Sequence, residues 1–186
     1  MKTLMKAWKP ALVYFGVMTV LCGILYPAAV TGIAQWWFPS QANGSVVTVT
    51  LKDGTQADYG SALIAQQFTA PEYLIGRPMG VTNLSPVSEA QRRLVEERVA
   101  WWRAFDPDNT ADIPMDLVTA SASGVDPNIS PEAAEFQVRR IAKARGLSEE
   151  AVRAAIGQFT TGRLLGFLGE PTVNVLKVNL AMDGLL

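Results

Sequence analysis

No charged residue occurs between Pro10 and Leu51. The first part of that gap, Ala11–Ile33, is predominantly apolar. Its 23 residues would reach about 34 Å as an α-helix, against a hydrocarbon core about 30 Å thick. Trp8 precedes this run and Trp36 and Trp37 follow it, where tryptophan anchors a helix at the two membrane interfaces. Lys2, Lys6 and Lys9 stand before the run and no acid does, so the positive-inside rule places the N-terminus in the cytoplasm. The expected organisation is a cytoplasmic N-terminus over residues 1–10 and a transmembrane helix over 11–33. A junction over 34–45 and a soluble extracytoplasmic domain over 46–186 complete it.

A cleaved signal peptide is the competing reading, with Gly32-Ile33-Ala34 as small-residue cleavage context. Signal h-regions run about 7–15 residues, and this one is longer. A lipoprotein reading through Cys22 meets bulky Leu21 where a small residue is expected. Within the helix, Gly16, Thr19 and Gly23 share one face, and Ala28 and Gly32 form a second small pair. Small residues let a neighbouring helix approach closely in lipid, although glycine is also common in membrane helices generally. Pro27 is expected to kink the helix or relax its last turns.

The remainder reads as an α+β domain. Val46–Leu51 has strand composition, and Lys52-Asp53-Gly54-Thr55 reads as a turn. Ser61–Phe68 is ambiguous between strand and helix. Ser85-Pro86 signals a helix start, and the helix runs to about Phe105 with Leu94, Val95, Val99, Trp102 and Phe105 on one side. Trp101 and Trp102 are expected to pack into the core. Ser130-Pro131 opens a second helix that Gly146 ends, with Ala134, Val138, Ile141 and Ala142 facing inward. Phe136 lies about 160–200° from that stripe, which makes it a candidate subunit contact or a packing residue of the same domain. Ser148 caps a third helix to about Phe159. Gly162, Gly166 and Gly169 break the next stretch into turns. Leu176, Val178, Leu180 and Met182 alternate, so Val173–Met182 is expected to be a strand.

The chain contains no histidine, and Cys22 is its only cysteine. That removes internal disulfides, cysteine zinc sites and every Ser–His or Cys–His arrangement. From Lys52 onward there are 13 Lys/Arg and 17 Asp/Glu, a balance of 13 − 17 = −4, which argues against a nucleic-acid partner. No phosphate loop, dinucleotide fingerprint, HExxH or EF-hand spacing is present. The stretch Val118–Pro127 gathers Thr119, Ser121, Ser123 and Gly124 ahead of Asp126. A serine nucleophile there would need Lys52, Lys143 or Lys177 as its base. Otherwise its hydroxyls satisfy the loop's own backbone, or offer a polar contact surface.

Several stretches carry a resemblance. They are Gln35-Trp36-Trp37-Phe38-Pro39 with Gln41–Ser45, then Gly60–Ile64, Gly76-Arg77-Pro78, Asp116–Gly124 and Asp126–Pro131. Gln137, Ala142–Arg145, Gly169-Glu170-Pro171, Val173–Leu176 and Asn179-Leu180 follow. With these the chain resembles, over nearly its whole length, the C subunit of the bacterial Kdp-type potassium-transporting P-type ATPase, the KdpC family. The resemblance implies an accessory, non-catalytic subunit of a high-affinity potassium pump in the bacterial cytoplasmic (inner) membrane, needed for assembly. It implies two partners, a potassium-channel-like subunit and an ATP-hydrolysing subunit, with a small single-helix subunit as a further candidate beside membrane lipid.

The resemblance also implies a catalytic-chaperone role that raises the nucleotide affinity of the ATP-hydrolysing subunit. Any contact with ATP would then fall to Thr119, Ser121, Ser123, Gly124 and Asp126. The residues themselves indicate no catalytic group, metal site or firm cofactor. One departure from the family is the short connection Met79–Thr82, where relatives carry a glycine- and serine-rich insert. An anchored serine hydrolase and a stand-alone binding or sensing module are the alternative functions.

Overall fold

A computed structural model describes residues 2–186, with side chains from residue 7 onward. The side chains of Lys2 and Lys6, on which the predicted orientation partly rests, lie outside the described residues. The chain divides into two compact units, residues 1–46 and 47–186.

The first unit is helical. Helix α1 (Lys2–Val20) passes into a π turn over Leu21–Leu25 and then into α2 (Tyr26–Trp37). Ala7–Trp37 is long and apolar enough to cross a membrane. The π turn explains how Pro27 is accommodated. Proline offers no N–H to the carbonyl one turn back and its ring crowds that carbonyl. Here the Tyr26 N–H reaches Leu21 O, five residues back, and the backbone widens just ahead of the proline. Phe38 N–H still bonds Ala34 O, and Pro39 then opens a short helix, α3 (Pro39–Ala42), inside the predicted junction. Gln35 and Asn43 exchange side-chain amide bonds of 3.2 and 3.1 Å across that turn.

The second unit is an α+β domain. Strands β1 (Val46–Thr50) and β2 (Gln56–Ser61) form a hairpin. Its turn is closed by Asp53, whose carboxylate accepts from the amide and hydroxyl of Thr55, while Gly54 takes φ +83°. The long helix α4 (Glu89–Phe105) begins three residues later than Ser85-Pro86 predicted. Ser88 is the cap, because its hydroxyl accepts from Gln91 N–H, whereas Ser85 O serves a preceding turn by accepting from Ser88. Trp102 is buried, as expected. Trp101 stays half outside, stacked on Phe105 at 4.6 Å.

Strand β3 (Asn128–Ile129) leads into α5 (Pro131–Glu135) and α6 (Val138–Arg145). The predicted single helix is thus broken at Phe136-Gln137, where Gln137 turns its side chain inward to bond backbone groups elsewhere. Gly146, at φ +65°, ends α6 as expected. Helix α7 (Glu149–Gln158) is capped by Ser148. Strands β4 (Thr160–Thr161) and β5 (Thr172–Asn174) complete an antiparallel sheet of order β3-β5-β4, pairing Ile129 with Val173 and Thr160 with Val173.

The strand expected over Val173–Met182 stops at Asn174. Val175–Met182 is helix α8, and the Asn174 side chain caps it by accepting from Lys177 N–H. Alternation misled here because this helix is buried around most of its circumference. Val175, Leu176, Val178, Asn179 and Leu180 are all inside, so the apolar positions define no single face. The main core joins Leu74, Trp102, Ile129, Ile141, Val152, Val173 and Val178, and Val47, Val49, Leu176 and Leu180 form a smaller cluster.

Candidate functional site

Residues 62–88 carry no helix or strand, yet Leu74 is fully buried among them. Three buried polar side chains hold this segment in place. Asn179 donates to Leu74 O at 2.9 Å and accepts from Leu74 N–H at 2.8 Å. Gln137 does the same with Ile75, at 2.9 Å in both directions. Arg140 donates to the carbonyls of Pro71 and Tyr73 and to Gln137 Oε1. Each primary amide presents a donor and an acceptor side by side, so it pairs with the chain as a strand edge would. Burial pushes the Arg140 guanidinium down to about 10, opposed by nearby Asp106 and Glu72, so it stays charged at neutral pH. Its Cζ lies 5.0 Å from the Phe105 ring centroid and 6.0 Å from that of Trp102.

The held segment delivers Gly76-Arg77-Pro78 to the surface. Arg77 Nη1 bonds Asp116 Oδ1 at 2.9 Å, and its Nη2 lies 3.4 Å from Thr119 Oγ1. The other oxygen of Asp116 accepts from Ser130 N–H at 2.6 Å, tying the pair to the start of α5. Arg77 stands between two clefts. One, of about 560 Å³, is lined by Arg77, Asp116, Asp126, Ser130, Arg163 and Glu170. The other, of about 370 Å³, is walled by Phe68, Arg77, Arg98, Trp101 and Leu117.

The loop over 119–126 is organised inward. Thr119 donates to Met115 O, Ser121 Oγ accepts from Gly124 N–H, and Ser123 Oγ accepts from Val125 N–H. The two serine hydroxyls lie 3.1 Å apart, and Asp126 accepts from Asn128 N–H. Gly124, at φ +71°, lets the loop pack against Gly80 and Val81, where a Cβ would come within 2.8 Å of both. Of the five residues singled out for nucleotide contact, Asp126 alone borders the larger cleft. Lys143, one candidate base for a serine, is paired with Asp108 at 2.8 Å.

In the helical unit, Gly16 and Gly32 have open space where a side chain would stand, and Gly23 meets only Thr19 of its own helix. An unbroken α-helix would put Gly23 and Ala28 about 140° apart. The π turn, in which Gly23 itself lies, holds more residues per turn and so narrows that angle. Trp8, Trp36 and Trp37 are exposed, and the last two stack at 5.3 Å. Phe136 packs edge-on against Trp102 at 5.8 Å and also lines a shallow groove with Ile113, Glu132, Glu135 and Ile156.

Sequence reasoning passed over the buried trio and the Arg77–Asp116 pair. A signal existed for two of them: Gln137 and Asn179 each sit beside apolar residues that must be buried, so their amides need partners inside.

Fold and site define a class: an α+β domain joined to a single helix able to cross a membrane, with no histidine, cysteine or carboxylate cluster suited to a metal among the described residues. A profile described as "KdpC: K+-transporting ATPase, c chain" matches residues 8–184, and the chain belongs to that family. It is 56% identical to a potassium-transporting ATPase KdpC subunit of Listeria monocytogenes, covering 100% of this chain and 99% of the relative. KdpC subunits of Sorangium cellulosum and Clostridium perfringens are 50% and 46% identical, over 95% and 98% of this chain and 96% and 99% of theirs.

Proposed function

We propose that this chain is the accessory, non-catalytic subunit of an ATP-driven potassium uptake pump, needed to assemble its channel-like and ATP-hydrolysing subunits. Family membership over residues 8–184 is the observation that carries it. In this reading residues 1–10 are cytoplasmic, 11–33 cross the inner membrane, and 46–186 form the extracytoplasmic domain. The open face around Gly16 and Gly23 supports a role for the helix in packing against another subunit. Any rise in nucleotide affinity would then be exerted through the assembled subunits, since the hydroxyls of Ser121 and Ser123 bond within their own loop and that of Thr119 is engaged by Met115 O and Arg77.

The test is omission. Co-expressed pump subunits lacking this chain should show no potassium-stimulated ATP hydrolysis and no uptake, and activity should return when it is supplied. A fully active pump without it overturns the assignment.

A further inference from the structure

Between β4 and β5 the chain folds into a small hairpin whose large side chains all point away from the domain. Leu164, Leu165, Phe167 and Leu168 are 69%, 77%, 69% and 47% exposed. This is not a frayed loop. Leu164 and Leu168 exchange backbone bonds of 2.8 and 2.9 Å, Gly166 N–H bonds Arg163 O, and Phe167 N–H bonds Leu164 O. Arg163 and Glu170 close the base with a 2.7 Å ion pair. Leu165 sits at φ +54°, a backbone region that a branched side chain seldom occupies. The tip therefore bonds back on itself through four of its amides, holds Leu165 in a sparsely populated conformation, and leaves four apolar side chains exposed.

We propose that this tip is a docking wedge that seats in an apolar groove on the extracytoplasmic surface of another membrane-embedded subunit of the same ATPase. The proposal rests on the pump-subunit reading. The four side chains present on the order of 500 Å², near the upper end for a whole apolar patch on a monomer and over half of one side of a standard interface. A preformed hairpin loses little conformational freedom on binding, which favours a shaped protein pocket.

A lipid surface fits less well. Interfacial anchors combine Trp or Tyr with free Lys or Arg. The tip has no Trp, Tyr or Lys, its one arginine is tied to Glu170, and the residues from Lys52 onward carry a net −4. A second copy fits poorly as well, because a convex tip is not complementary to itself, as a two-fold interface requires.

Two measurements on the full chain, co-expressed with the other ATPase subunits in membranes, decide it. Phe167→p-benzoylphenylalanine should give, on irradiation, a covalent adduct with another ATPase subunit. The double variant Leu165→Asp/Phe167→Asp should lower the yield of co-purified partner roughly tenfold or more, as loss of a buried apolar anchor does. Adducts with lipid alone, adducts with a second copy alone, no adduct, or a double variant that co-purifies at the wild-type yield each overturn the wedge. If the double variant is degraded, the crosslink at position 167 decides alone. A wild-type chain that brings down no ATPase subunit overturns both the wedge and the pump-subunit reading. Normal wild-type assembly with an unaffected variant overturns the wedge only.

Discussion

The side-chain amide of Asn179 and the backbone of Leu74, 105 positions apart in sequence, form a two-way hydrogen-bonded pair at 2.8 and 2.9 Å. Asn179→Ala leaves a buried N–H and a buried C=O with no partner, each costing about 1–3 kcal/mol. The expected loss is roughly 2–4 kcal/mol in chemical denaturation of the detergent-solubilised chain. Asn179→Asp keeps the acceptor and loses the donor, and it also buries a charge, so it should do no better. A change below about 0.5 kcal/mol in the alanine variant, the range of an inert surface site, would mean the pair does not hold the segment.

Arg140 spreads its donors over two guanidinium nitrogens to reach three acceptors, all of which a lysine would have to reach from a single nitrogen. Arg140→Lys is therefore expected to destabilise the domain by about 1–3 kcal/mol despite keeping the charge. Proteolysis within residues 62–88, which Arg140 helps to pin, should accelerate before global unfolding does. Equal acceleration at all sites would argue against a local role.

Gly124→Ala places a Cβ within 2.8 Å of Gly80 and Val81 at a φ of +71°. The expected cost is about 1–3 kcal/mol. Ser121→Ala, which removes an acceptor in an exposed loop, should cost about 1 kcal/mol or less. Comparing the two melting curves separates backbone shape from hydroxyl chemistry.

Gly16→Leu with Gly23→Leu fills the open face of the membrane helix and should weaken co-purification with the other membrane subunits. Tyr14→Leu, on the opposite side of the helix from Gly16 and Thr19, provides the control. Equal effects would locate no interface on the small-residue face.

Asp53 and Asp108 both lie below the usual carboxylate range. The Thr55 hydroxyl and amide bonds are the main cause for Asp53, and the Lys143 bond and charge are for Asp108. A depressed acid contributes stability above its unfolded value, and that contribution is lost as pH falls through the folded one. Asp108→Asn should thus flatten the acid limb of the stability profile below about pH 4 and leave the slope near neutrality unchanged. An altered neutral slope would contradict this linkage.

Much of the architecture was legible because its signals are local. An uncharged apolar run reads as a span, Gly54 after Asp53 reads as a turn, and Ser130, Ser148 and Gly146 mark helix ends. The failures came where distant partners decide the outcome. Alternation in Val173–Met182 imitates a strand, and only burial on all sides by other elements shows why a helix can carry it. Ser85 has the composition of a cap but lacks the geometry, which Ser88 three residues on supplies. At the site, the 119–126 loop stood out for its composition, yet its polar groups bond to one another and to their near neighbours Met115, Arg77 and Asn128. Arg77 and Asp116, 39 positions apart, meet only in three dimensions.

Because α8 supplies Asn179, α6 supplies Arg140 and the break just before α6 supplies Gln137, the segment around Leu74 lacks its polar partners until these distant clasps have been made. Contacts of such wide separation are slow to form and leave apolar surface bare in the meantime. A nascent copy emerging N-terminus first would hold Leu74 and Ile75 uncovered until the final helix is delivered. Loss of the last dozen residues should therefore yield a tethered but unsealed chain, prey for quality-control proteases, rather than a slightly shortened domain.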